Sequence, residues 1–273
     1  MMNMDGLKVK NFWLRYVDDS ERLFDNFNFG VEAGQIVALM GASGCGKTSL
    51  FRAILCQRVP GMFEYDGKVL FNGECIETLR RSYGIGAVFQ EPTLIPWRTA
   101  LGNLRLPFDM SRDRRALWKS ERIAEEGKKL LAAMDLMEFD KRPEDYSGGQ
   151  RRRIEIVRSL ISRPQLILMD EPFKGLDRAW KESVLPVIRD YIKEKGTTVL
   201  LTTHSPEESV LLADKIILLE KRDDETSIEH AKHIDISRDY EGFHHQDQRN
   251  QWINAFFDEV KKVIQESRHD RLG

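Results

Sequence analysis

Residues 41–48 read GASGCGKT, a G-x-x-x-x-G-K-[ST] stretch that leaves the apolar run QIVALM and enters the helical pattern KTSLFRAILCQ. Glycines let the backbone approach an anion without a Cβ in the way, and a helix start adds unpaired N–H groups and the positive end of its dipole. The chemistry implied is phosphate binding. Gly41, Ser43, Gly44, Cys45 and Gly46 form the wrap, Lys47 places its ammonium on the β- and γ-phosphates, and the Thr48 hydroxyl ligates magnesium. Farther on, LILMDEP sets Asp170 and Glu171 side by side at the end of an apolar run. Asp170 suits magnesium, directly or through water, and Glu171 suits a base or a water-orienting carboxylate. His204, in LLTTHS, ends another such run, at the sheet edge where α/β proteins bind ligands. A second anion-binding turn stands in DYSGGQRRRIEIVRSL, where residues 147–150 precede Ile154, Val157, Leu160 and Ile161 at helical spacing. One chain thus carries two turns built for phosphate, and the second needs an occupant.

The elements that must position these residues are legible from patterning. QIVALM, IGAVFQ, QLILMD, TTVLLTTH and ADKIILLE are compact apolar runs of the kind that fill a parallel sheet covered on both faces, and helical patterns between them make the core α/β. LKVKNFWLRY, LFDNFNFGV and a short strand between Gly67 and Gly73 suggest an antiparallel β-layer. Residues 91–162 turn charged and helical, with Ser111 as an N-cap, and are expected to form an inserted helical subdomain. Its charges, and those of Arg151 to Arg153, fit solvated helix faces better than a nucleic-acid surface. In LDRAWKESVLPVIRDYIKEKG, Asp177 marks a helix start and Gly196 its end, and Pro186 is expected to bend or break it. AKHIDIS suits an edge strand. The stripe from Trp252 to Ile264 suits an amphipathic helix docked on the same chain, with a partner's groove as the alternative, and His244 and His245 lack ligand-spaced partners for a metal.

With 273 residues, Lys plus Arg at 42 and Asp plus Glu at 44, the chain has material for a large core and no bulk field that would attract nucleic acid. Cys45, Cys56 and Cys75 form no C-x-x-C pair, which fits a reducing compartment. No apolar run reaches the roughly 18 residues of a membrane span, and the first residues lack the apolar core of a signal peptide, so a cytoplasmic chain is expected.

Taken in order, GASGCGKT, the glutamine of VFQEP, YSGGQ, LILMDEP, the GLD after it and the histidine of TTHS make the chain resemble the ATP-binding cassette ATPases of ABC transporters, from about Leu7 to Glu220. The resemblance implies a P-loop NTPase (RecA-like) α/β core with an antiparallel β-subdomain and an inserted helical subdomain, followed by a short extension over 221–273. It implies a head-to-tail pair, a second copy or a related ATPase subunit, in which the SGGQ turn of one subunit covers the γ-phosphate of ATP held by the other. That answers what the second turn holds. ATP and Mg2+ are the expected ligands.

Residue by residue, the resemblance makes Tyr16 the aromatic that stacks on adenine, with Phe12 or Trp13 as alternatives, and extends the cradle to Ser49. Ser147, Gly148, Gly149 and Gln150 serve the partner's nucleotide, and Asp177 couples the two sites. Gln90 contacts magnesium and the attacking water, joining Thr48 and Asp170 as a metal residue. Glu171 is the catalytic base and His204 the γ-phosphate clamp, and Gln90 and Lys47 complete the catalytic set. EPTLIPWRTALGNLRLP, after Gln90, is similar to importer ATPases of the nitrate, sulfonate and taurine type. The sequence departs from the family pattern at Lys174 and Gly175, which replace a small pair, and at Ser205, which follows the histidine in place of aspartate. Membrane permease subunits, docked near Gln90 and the helical subdomain, and a separate substrate-binding protein are the further partners implied, with the chain held on the inner membrane face. The rival is a soluble cassette ATPase of DNA repair, translation or regulation, which more often carries two cassettes or a long coiled-coil insertion.

Overall fold

A computed structural model describes residues 5–42, 44–57, 59–110, 112–119, 122–219, 228 and 231–236. Ser43, Ser111, His244, His245 and the stripe from Trp252 to Ile264 lie outside the described residues. Two sheets carry the fold. The smaller joins β1 (Leu7–Tyr16), β2 (Phe24–Val31), β4 (Phe63–Phe71) and β5 (Glu74–Cys75) in the order β2-β1-β4-β5, all antiparallel. The larger has β3 (Ile36–Gly41), β6 (Ile85–Val88), β7 (Leu166–Asp170), β8 (Thr198–Thr202), β9 (Lys215–Leu219) and β10 (Ala231–Asp235) in the order β10-β9-β3-β8-β7-β6. Four of its five pairings are parallel, and the fifth sets β10 at the edge antiparallel to β9.

Side-chain alternation along β3 divides the interior. Ile36, Ala38 and Met40 point into one apolar cluster, while Val37 and Leu39 point into the other. The second cluster lies between the two sheets and takes in Phe12, Phe24 and Phe27 together with α1 (Lys47–Ile54). The first is filled by helices: α3 (Ala100–Asp109), α5 (Arg122–Ala133), α6 (Gly148–Ile161), α7 (Arg178–Lys195) and α8 (Pro206–Leu212). The remaining α-helices among the described residues are α2 (Ile76–Arg81) and α4 (Arg112–Lys119). Because one cluster runs from the sheet into α3, α5 and α6, the charged helical segment shares its core with the sheet.

Two expectations change. Pro186 does not break α7, which runs through it for 18 residues. Trp180, Val184 and Leu185 anchor the helix before the proline and Ile188 and Ile192 after it, so burial on both sides offsets the missing N–H. Gly67 does not bound a strand but lies inside β4, at φ 127, where a Cβ would stand 2.7 Å from Phe12 Cα. The register of β1 on β4 shifts between Lys10 and Trp13 opposite it, so the glycine accommodates a bulge. Past residue 220, the chain returns to the body: Ile228 bridges Phe24 beside the small sheet, and Ile236 is buried in the helical-side cluster.

Candidate active site

Strand β3 ends at Gly41 and α1 begins at Lys47, so the loop between them opens a helix at the carboxyl edge of the sheet. Among the described residues, no side chain caps α1. Its N-cap is Gly46 in the left-handed region at φ 89, a position where a Cβ would meet Leu23 Cδ2 at 2.4 Å and Phe24 Cε2 at 2.9 Å. Gly44 is likewise left-handed, at φ 82. The helix start therefore keeps its N–H groups for an anion. Lys47 is buried, and its ammonium folds back to donate to the carbonyls of Gly41 and Ala42, both at 2.9 Å. Cys45 turns its own N–H onto Ala42 O at 3.3 Å.

Asp170 ends β7, in register with Thr202 at the end of β8. Its carboxylate is buried and accepts from Thr48 Oγ1 at 2.7 Å on one oxygen and from Thr202 Oγ1 at 2.6 Å on the other. A hydroxyl and a carboxylate in contact beside the first turn of α1 are the hard oxygen donors that Mg2+ takes, with its other positions left to phosphate and water. The residues thus fit that ion.

Glu171 follows at φ 46, left-handed for a residue with a Cβ, and Thr202 holds it there by accepting its N–H on both the hydroxyl (2.9 Å) and the carbonyl (3.2 Å). Its carboxylate oxygens meet His204 Nε2 at 2.7 Å and Lys174 Nζ at 2.6 Å. Burial works against its charge, but Lys174, His204 and Lys47 outweigh burial and hold the carboxyl below the usual glutamate range. A carboxylate ionised at neutral pH can accept a proton from water, leaving the negative charge on the attacking oxygen, while the imidazole beside it orients the carboxylate.

Tyr16 comes to this cluster from the far end of β1: its hydroxyl meets Ser49 Oγ of α1 at 2.9 Å. Of the two alternatives, Phe12 is wholly buried in the inter-sheet core, and Trp13 stacks under the Arg22 guanidinium at 4.6 Å. Tyr16 is the aromatic at the glycine loop.

The second turn begins α6. Ser147 is its N-cap, with Oγ accepting from Gln150 N at 3.2 Å and the Ser147 N–H donating to Gln150 Oε1 at 2.9 Å, a reciprocal cap that draws Gln150 into holding the turn. Ser147 and Gly148 are exposed, and a Cβ on Gly149 would press on Leu176 Cδ2 at 3.2 Å. Asp177 is the exposed N-cap of α7, accepting from Trp180 N at 3.0 Å. Gln90 is exposed and follows β6 by two residues, with its carbonyl held by Arg152 of α6.

Sequence reasoning missed Thr202, Lys174 and Arg152. The mixed-charge pattern around the arginine run suggests solvated side chains. Arg152 is instead buried on the carbonyls of Phe89 and Gln90, and Arg153 lies over the Trp180 ring at 4.4 Å and donates to Met134 O. Lys174, three residues from Glu171 in a tight turn, was visible only as a departure from a family pattern.

The ABC transporter family model matches residues 24–174. An uncharacterized ABC transporter ATP-binding protein of Methanocaldococcus jannaschii is 35% identical over 263 residues, 94% of either chain. The aliphatic sulfonates import ATP-binding protein SsuB 2 of Agrobacterium fabrum is 33% identical over 218 residues, 79% of this chain and 76% of that one. The spermidine/putrescine import ATP-binding protein PotA of Nitrosomonas eutropha is 34% identical, over 78% of this chain but only 56% of its own length. Among solved structures, a dimeric ATP-binding cassette in a post-hydrolysis state bound to ADP and Pi aligns with TM-score 0.67 and 29% identity, over 85% of this chain and 99% of that one. Among the described residues, no helix is long and apolar enough to cross a membrane.

Proposed function

The chain belongs to the ABC transporter family and is an ATPase of that family, and we propose that it is the energising subunit of an importer, working as a head-to-tail pair beneath separate membrane subunits. The observation that carries this reading is the assembly, at one sheet edge, of an uncapped helix start, the Thr48–Asp170 contact and the Glu171–His204 contact. ATP would lie with its phosphates on Gly41, Gly44, Gly46, Lys47 and Thr48, its adenine against Tyr16, and its γ-phosphate beside His204. Lys47 would exchange the loop carbonyls it now holds for phosphate oxygens. Thr48, Asp170 and Gln90 would hold Mg2+, which neutralises phosphate charge when bound. Glu171 accepts the proton of the attacking water, and His204 keeps that carboxylate oriented.

Ser147, Gly148 and Gly149 would close over the nucleotide of the partner subunit, placing the dipole of α6 on its γ-phosphate. Asp177, near that turn through Leu176 and Gly149, would relay between the two sites. The names of the relatives, sulfonate and polyamine importers, support transport into the cytoplasm from a peripheral position on the inner membrane face. The transported molecule would be met by the membrane subunits and a binding protein.

The test is Mg-ATP hydrolysis by the purified protein against Glu171→Gln, with the membrane subunits recovered on the variant in detergent and Mg-ATP. Loss of general-base catalysis is worth about 10²–10⁴-fold, and the variant is expected to lose at least the lower figure while retaining ATP. Equal turnover by the two proteins would remove Glu171 from the mechanism. Soluble or nucleic-acid partners in place of a multi-spanning chain would overturn the importer assignment.

A further inference from the structure

Helix α6 carries a buried charge cluster that phosphate chemistry does not use. Glu155 has no exposed surface, Arg152 is 5% exposed and Arg158 8%. Glu155 Oε1 accepts from Arg158 Nη2 at 3.2 Å, and Oε2 from Arg152 Nη1 at 3.1 Å. The cluster then reaches out of its helix to a single segment, the loop that begins where the pairing of β6 stops at Val88. Arg152 donates to the carbonyls of Phe89 and Gln90. Glu155 Oε1 accepts the Thr93 N–H at 2.9 Å and the Thr93 hydroxyl at 2.6 Å, while Arg158 donates to Thr93 O at 2.9 Å and to Thr93 Oγ1 at 2.7 Å.

A buried Arg–Glu–Arg set adds little net stability compared with apolar side chains of the same volume, because desolvating the charges cancels their attraction. What it does supply is direction: a forked guanidinium and a carboxylate fix the orientation of a loop that no sheet partner holds. We infer that Arg152, Glu155 and Arg158 weld the Gln90 loop to the helix that carries the Ser147 turn, so that loop and turn move as one body. The inference rests on the proposed function, in which Gln90 belongs to the subunit's own nucleotide and Ser147 to the partner's. Closure of the Ser147 turn on one ATP then sets Gln90 at the other, and Arg152, Glu155, Arg158 and Thr93 are positioning residues for cooperative hydrolysis.

The experiment is ATP hydrolysis as a function of ATP concentration by the full chain, for the wild type, Thr93→Val and Thr93→Ser, with thermal unfolding alongside. Valine keeps the shape of threonine and removes two charge-assisted hydrogen bonds, while serine keeps both. The wild type is expected to show a Hill coefficient between about one and two, and valine to bring it to about one. Thr93→Val should also lower kcat about tenfold, the worth of one bond to a charged group, with half-saturation moving less than about twofold. Serine should restore both. Where the valine variant does not fold, Arg152→Lys carries the test, since a lysine cannot fork onto two carbonyls. A wild-type Hill coefficient of one, or a folded Thr93→Val with wild-type kcat and cooperativity, overturns the inference. Glu171→Gln separates the premises: an inactive glutamine variant beside an unchanged valine variant sinks only the weld, whereas an active glutamine variant sinks the reading beneath it.

Discussion

Thr202 is the residue on which both acidic groups of the site depend, and Thr202→Val measures that dependence. The side chain has no exposed surface, and valine occupies the same volume, so neither a cavity nor a clash enters. Two hydrogen bonds are lost. The one at 2.6 Å to Asp170 Oδ1 ends on a buried carboxylate and is worth about 1.5–3 kcal/mol. The one from the Glu171 N–H is worth less, about 0.5 kcal/mol, because that group keeps the Thr202 carbonyl at 3.2 Å. A newly buried methyl returns about 0.8 kcal/mol. The net cost is about 2 kcal/mol, which for a domain of this size lowers Tm by about 4–8 °C. Turnover should fall further than stability, because Glu171 sits at φ 46 and loses one of two contacts holding it there. Thr202→Ser keeps both bonds and should recover activity despite its missing methyl. The assay is thermal unfolding without nucleotide, followed by Mg-ATP turnover well below Tm. A valine variant melting within about 1 °C of the wild type, with undiminished turnover, would refute the account.

Two further outcomes follow from local geometry. Gly46→Ala places a Cβ against Leu23 and the buried Phe24 ring in a left-handed backbone, whereas Gly44→Ala meets nothing within 4 Å. The first should cost about 2–4 kcal/mol and abolish binding of a fluorescent ATP analogue, the second only the backbone strain of about 1–2 kcal/mol; equal losses in chemical denaturation would contradict this. Glu126 is partly buried, which opposes its charge, but Arg163, Lys195 and Tyr191 together hold its pKa below the ordinary value of 4.5. Its ionised form therefore stabilises the fold fully above pH 4.5 and loses that contribution as pH falls through the depressed folded value. Denaturant titrations of the wild type and Glu126→Gln should differ most at neutral pH and converge in acid, and a gap that widens on acidification would be the wrong sign.

Much of this protein was legible in its sequence because much of it is governed by local rules. The glycine loop needs a strand before it and a helix after it, and QIVALM and KTSLFRAILCQ announce both. The core strands are continuous apolar runs, as burial on two faces requires. The starts at Ser147 and Asp177 are caps whose partners lie three residues away, within reach of pattern reading. Tertiary structure decided the rest. Arg152 and Arg158 occupy positions that helical periodicity assigns to a mixed-charge helix, and such a pattern is silent on whether a charge meets water or a carbonyl more than sixty residues away. Asn103 looks like one more polar residue of α3, yet it is wholly buried, donating to the carbonyls of Ile95, Arg98 and Thr99. Thr202 reads as a β-branched strand residue until Asp170 stands opposite it across the sheet. In each case the deciding partner is distant along the chain, so its desolvation and hydrogen bonding exist only once the strands and helices have been brought together.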